Sequence, residues 1–220
     1  MGQALIGNTP VTIVGIAKGS GMIAPDMATM LSFIFTDACV PAAILQPLLA
    51  AGTARSFNSI TVDSDTSTSD SVLFAATGKA CNQRPCSAND PALKAFRLAL
   101  NEVLLDLAIQ VVCDGEGASK LITVTVRGAS SSQAARKAAF AVANSPLVKT
   151  AIAGEDANWG RVVMAVGKSG ARLDQHKLSV AMGGVVIAQN GGRVGGYDES
   201  LLTDHLQGSE ILIEVNLGVG

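Results

Sequence analysis

A chain of 220 residues, 48% of them apolar and 15% charged, with a net charge of −2, carries ample material for a core and no basic footprint for nucleic acid. That balance also excludes intrinsic disorder, and no apolar run approaches the roughly 18 residues that span a bilayer. Met1 to Pro10 lacks the basic start and apolar core of a secretory signal.

The length fits one large domain or two tightly fused ones. The hydrophobic period switches repeatedly between two and 3.6, predicting strands alternating with helices. Val11 to Ala17 and Met30 to Thr36 read as strands. Pro41 to Ser56 reads as a helix that Pro47 should kink or delay. Two short apolar segments, Ile60 to Val62 and Val72 to Ala76, flank the polar run Asp63 to Asp70. Ala92 to Val112 is the clearest helix: Leu93, Phe96, Leu100, Val103, Leu104, Leu107 and Val111 recur at spacings of three and four. Leu121 to Val126 is a strand, and Gln133 to Ala143 a helix ending before Pro146. Trp159 to Val166 reads as a further helix, and Leu178 to Ala188 as a strand interrupted at Gly183-Gly184. Asn190-Gly191 signals a tight turn, and Glu210 to Leu217 closes the chain as a strand. The alternation predicts a layered, mixed α/β fold.

Most motifs have ordinary structural explanations. Cys39 and Cys113 read as small core residues. Cys81 and Cys86 lack two further ligands at zinc spacing, because His176 and His205 are isolated, so no metal site is expected. A reducing, cytoplasmic setting follows. Gly19 to Ala24 fits a relaxed dinucleotide fingerprint, but Pro25 and Asp26 stand where a helix should open. Gly167-Lys168-Ser169 fails as a phosphate loop, with Val162 where its first glycine belongs. Asp63 to Asp70 reads first as a strand-to-helix turn with a polar cap, and otherwise as a loop lining a polar pocket. Asp114 to Lys120 reads as a glycine turn after the long helix, presenting Glu116 between Gly115 and Gly117. Gly154 to Arg161 reads as a helix start capped by Asp156 or Asn158.

The most informative stretch runs from Lys18 to Leu31, Gly-rich, then Pro-restricted, ending in Ala28-Thr29 before an apolar strand. A threonine hydroxyl in mid-chain is a poor nucleophile. Breaking the Ala28–Thr29 bond would give Thr29 a free α-amine, with an ordinary pKa of about 7.7–8.0. That amine can act as general base for the hydroxyl beside it.

This stretch closely resembles the self-cleavage segment of the ornithine acetyltransferases, or glutamate N-acetyltransferases, of arginine biosynthesis. Further matches follow in order: Ser56-Phe57-Asn58-Ser59-Ile60-Thr61-Val62-Asp63 running into Asp65-Thr66-Ser67-Thr68, then Asp114 to Lys120, then Asp156-Ala157-Asn158-Trp159-Gly160-Arg161. The resemblance extends from about Val11 to Gly218. It implies a layered α/β fold shared with self-processing aminopeptidases. It also implies a precursor that cleaves itself between Ala28 and Thr29 into subunits that stay associated, commonly as α2β2. The new N-terminal Thr29 would take acetyl from N-acetylornithine and pass it to glutamate. Lys18 and Glu116 would contact substrate, and some members also take acetyl from acetyl-CoA. No cofactor, nucleic acid or membrane is implied.

Two departures accompany the resemblance. Family members carry a long upstream stretch that supplies the oxyanion-hole residues, whereas 28 residues precede Thr29 here. Members also continue past the final strand into a tail with further substrate contacts. The expectation is a C-terminal half, with residues 1–28 an upstream remnant and 29–220 the catalytic portion lacking its tail. Competing readings are a self-processing amidase or aminopeptidase with water as acceptor, and an inactive truncated chain.

Overall fold

The computed structural model describes residues 1–19, 30–64, 69–196 and 199–220. Ala28 and Thr29, with the rest of the candidate cleavage segment from Ser20, lie outside the described residues, as do Asp65 to Thr68. The chain divides into two compact units, Met1–Gly117 and Ala118–Gly220.

In the first unit, β1 (Gly2–Ile6), β2 (Thr9–Lys18), β3 (Leu31–Thr36) and β4 (Ser71–Ala76) form one sheet in that order. The β1–β2 and β2–β3 pairs are antiparallel, whereas β3 and β4 are parallel. A parallel pair needs a crossover, which α1 (Ala42–Arg55) provides. Pro47 lies inside that helix, and Pro41 occupies its N-cap rather than its first turn. The helix α2 (Lys94–Cys113) follows a short 3-10 turn at Pro91–Leu93. Asp90 accepts the N–H groups of Cys86 and Ala92 there. These bonds, the one from Cys86 first, hold its carboxyl below the usual carboxylate range.

All seven apolar residues anticipated on the α2 face are buried, Leu93, Phe96 and Leu104 completely. They pack on one face of the sheet against Ile13, Ile34 and partly buried Phe74. Contact is close because Gly15 has no side chain. A Cβ there would meet Leu107 Cδ1 at 2.6 Å and Ile34 Cδ1 at 2.8 Å. Gly15→Val should therefore destabilise the unit by about 1–3 kcal/mol through overpacking. Urea unfolding checks this, and an unchanged midpoint would mean that the contact is not formed.

Cys113 corrects the sequence reading. It lies in the last turn of α2 and is exposed, whereas Cys39 is half-buried. At 100° per residue, Cys113 stands well away from Val111, which does face the core.

In the second unit, β5 (Leu121–Arg127), β9 (Glu210–Asn216), β6 (Ser179–Met182), β7 (Val185–Gln189) and β8 (Gly192–Arg193) form a mixed sheet in that spatial order. The predicted long strand over 178–188 is a hairpin, its turn made by Gly183 and Gly184 at φ +56° and +81°. Consecutive positive φ values make a turn that favours glycine. Helices α3 (Ser132–Ala143), α4 (Pro146–Ala153), α5 (Trp159–Gly167) and α6 (Glu199–Gln207) complete the unit. Its core includes Val162, Val166, Met182, Ile187, Ile211 and Ile213. No described helix is long and apolar enough to cross a membrane.

Candidate active site

Among the described candidates of the first unit, Lys18 and the end of the helix that precedes Glu116 lie toward the same end of its sheet. Lys18 ends β2 and pairs with Leu31, which opens β3 two residues beyond Thr29 in the sequence; Leu31 pairs in turn with Ser71 at the start of β4. Helix α2 runs along β2 in the same sense. A Cβ on Gly2, opposite Ile13, would meet Val103 and Ala99, whereas one on Gly15 would meet Leu107 and Val103. From Gly15 to Lys18, and from Leu107 to Asp114, the chain advances about 10 Å in each case. The turn carrying Glu116 thus follows α2 at the end of the sheet where Lys18 lies.

Their local settings differ. Lys18 and Glu116 are both exposed. Lys18 belongs to the face turned away from α2, because cross-strand partners share a face and Gly15 and Ala17 face the helix layer. After Asp114 caps α2, the Gly115 N–H donates to Val112 O. Gly117 at φ +72° turns the chain toward β5, as a glycine turn requires.

Met30, the residue after Thr29, is held on both sides. Its N–H donates to Asp70 Oδ1 at 3.0 Å, and its carbonyl accepts the Ser71 N–H at 3.0 Å. Its side chain is buried. Asp70 was missed as a candidate because the polar run suggested a helix cap. The described part of that run instead leads into strand β4, which corrects the strand-to-helix reading.

The face of the sheet opposite α2 is apolar and open. Ile16, Phe33 and Leu73 lie side by side across three strands, as do Val14, Phe35 and Ala75. Ile16 is 61% exposed, Leu73 57% and Phe35 47%. Lys18, Leu31 and Ser71 form the next row of this face.

The Asp156–Arg161 motif lies in the second unit, where it builds structure. Asn158 caps α5 by accepting the Arg161 N–H at 3.2 Å, as the sequence suggested, and its amide donates to Asp156 Oδ2. The Arg161 guanidinium donates to Leu147 O and Thr150 Oγ1, tying α5 to α4. Lys120 is mostly buried, donating to the Leu206 carbonyl near the end of α6 and lying 3.5 Å from Glu155. Its charge is well placed at a helix C-terminus.

The mixed α/β fold is the one that the self-processing acetyltransferase resemblance implied. The ArgJ family model matches residues 2–220, and the chain belongs to the ArgJ family. It is 61% identical over 215 residues to the arginine biosynthesis bifunctional protein ArgJ of Gluconobacter oxydans, an alignment covering 98% of this chain and 51% of that protein. It is 56% identical over 220 residues to the ArgJ protein of Agrobacterium fabrum, covering 99% and 53%. The chain thus spans about half the length of these curated relatives. A crystal structure of the Bacillus halodurans ArgJ protein superposes with a TM-score of 0.79 at 42% identity, covering 84% of this chain and 86% of that one.

Proposed function

We propose that this chain forms the nucleophile-bearing part of an acetyltransferase of arginine biosynthesis, moving acetyl from N-acetylornithine to glutamate through acetyl-Thr29. The observation that carries the reading is the pairing of Lys18 with Leu31, which opens the strand following Thr29, together with α2 running along β2 toward that end before Glu116. In self-cleavage, Thr29 Oγ attacks the Ala28 carbonyl, the peptide bond shifts to an ester, and water hydrolyses it. In turnover, the freed Thr29 amine takes the hydroxyl proton as Oγ attacks the acetyl carbonyl. Ornithine leaves with that proton on its nitrogen. The glutamate amine then attacks the acetyl ester, and Thr29 Oγ recovers its proton.

Cleavage at this point would break covalent continuity without dissolving the sheet. Residues 1–28 include β1 and β2, both packed against α2, and β2 pairs with β3 from Ile13↔Thr36 to Lys18↔Leu31. This supports products that stay associated. The open apolar rows support an upstream half that packs against them, with Lys18 then bordering a pocket at the seam. That half would supply the oxyanion donors, and an α2β2 assembly in the cytoplasm fits this scheme. Acetyl-CoA as a second donor is part of the proposal, with no bound cofactor required.

A lysine ammonium suits a substrate carboxylate, and a glutamate suits a substrate ammonium. Lys18→Ala and Glu116→Ala should each lower kcat/KM at least tenfold while leaving the unfolding midpoint in place. Steady-state kinetics with N-acetylornithine and glutamate reads this out, and parental kcat/KM would remove that residue from the pocket. Product analysis with and without glutamate tests the reaction itself. Acetylglutamate formation that depends on glutamate supports transfer, whereas equal release of acetate in both supports a hydrolase.

A further inference from the structure

We propose that Asp70 is a positioning residue for Thr29, fixing the peptide group that follows it and biasing the proton on its amine once cleavage has occurred. The proposal rests on Thr29 being the nucleophile, as set out above. Asp70 Oδ1 accepts the Met30 N–H at 3.0 Å, and Met30 O accepts from Ser71, the residue after Asp70. One short stretch of chain thus grips Met30 from both ends. The Thr29 carbonyl carbon is bonded to the Met30 nitrogen and lies in the same plane. Anchoring that nitrogen, with the Met30 side chain buried beside it, removes freedom from the residue that must attack. A carboxylate acceptor makes the bond charge-assisted, stronger than a neutral one.

The second effect follows from covalent geometry. A residue's own nitrogen is at most about 3.7 Å from the next one. With the 3.0 Å hydrogen bond, the Thr29 nitrogen can be no further than about 7 Å from Asp70 Oδ1. At that range a carboxylate favours the protonated amine and so opposes its use as a base at low pH. Among the described residues, the other charged groups toward this end of the unit include Lys18 at the end of β2, Asp63 in the loop before β4, and Asp114 and Glu116 beyond α2. Lys18 acts in the opposite sense to the carboxylates.

The test uses the chain complemented with an upstream half. Asp70→Asn keeps an oxygen acceptor for Met30 and removes only the charge. It should still cleave, and the acid limb of its kcat/KM profile should move to lower pH by about half a unit to one unit. Asp70→Ala removes the acceptor and should slow cleavage at least tenfold, read by intact mass over time. Either an unshifted acid limb in Asp70→Asn or parental cleavage by Asp70→Ala overturns the assignment. Thr29→Ala, run in parallel, separates the two claims. If it is dead while the Asp70 variants behave as the parent, only Asp70 falls; if it turns over normally, the nucleophile reading itself falls.

Discussion

Thr29→Ala should abolish both self-cleavage and acetyl transfer. One hydroxyl is assigned both tasks: it attacks the Ala28 carbonyl in the precursor and the acetyl carbonyl in the mature protein. No other group at this end of the unit is proposed to replace it, so the loss of kcat should be at least about 10⁴-fold. Thr29→Ser should retain partial activity, since it keeps the hydroxyl but loses the methyl that restricts χ1. Rates of cleavage and of acetylglutamate formation, measured on the same preparations, check both variants. Near-parental transfer by Thr29→Ala would rule out a covalent acetyl-threonine route.

The second large effect concerns the upstream half. Acyl transfer and self-cleavage both pass through an oxyanion, and each donor aimed at it is worth about 2.7–4 kcal/mol. Absence of two donors would raise the barrier by about 5–8 kcal/mol, several orders of magnitude in rate. The 220-residue chain by itself should therefore stay largely uncleaved and inactive. It should also self-associate through the open rows containing Ile16, Phe35 and Leu73. Adding an upstream half should restore cleavage and transfer. Size-exclusion chromatography and intact mass, with and without the added half, give the answer. Efficient processing by the lone chain would contradict this account of where the donors come from.

Much of the fold was legible where the apolar period was regular. The α2 stripe from Leu93 to Val111, the strands β2, β3, β5 and β9, and helices α3 and α5 all match their sequence patterns. The described elements that were missed include β1, α4 and α6. The first, β1, is five residues long and gains its stability from pairing with β2 and from the α2 side chains beneath it. Helix α4 begins at Pro146, a residue read as the end of α3 although proline is equally suited to a first turn. Helix α6 has only Leu202 and Leu206 in its core-facing stripe, too few for a clear period. The division after Gly117 was also hidden, because no linker composition marks it.

The candidate site was legible as a set of separated motifs, not as an arrangement. Nothing in the spacing of Lys18 and Glu116 says that one strand and one helix run in the same sense and finish at the same end. Only the contacts of Gly2 and Gly15 with α2 establish that direction. Asp70 was illegible for a related reason: its partner Met30 is 40 positions away, and a backbone amide has no sequence signature. The Asp156–Arg161 motif shows the converse. Its asparagine and arginine are absorbed by a helix cap and a helix-to-helix tie.

The central claim is that Thr29 becomes an N-terminal nucleophile that carries acetyl. Intact-mass and peptide-level mass spectrometry of the complemented chain, incubated with N-acetylornithine in the absence of glutamate, tests it most directly. The account predicts scission between Ala28 and Thr29, one acetyl group on the product beginning at Thr29, and loss of that group when glutamate is added. An intact Ala28–Thr29 bond in a preparation that transfers acetyl, or an acetyl group carried on any other residue, would contradict it.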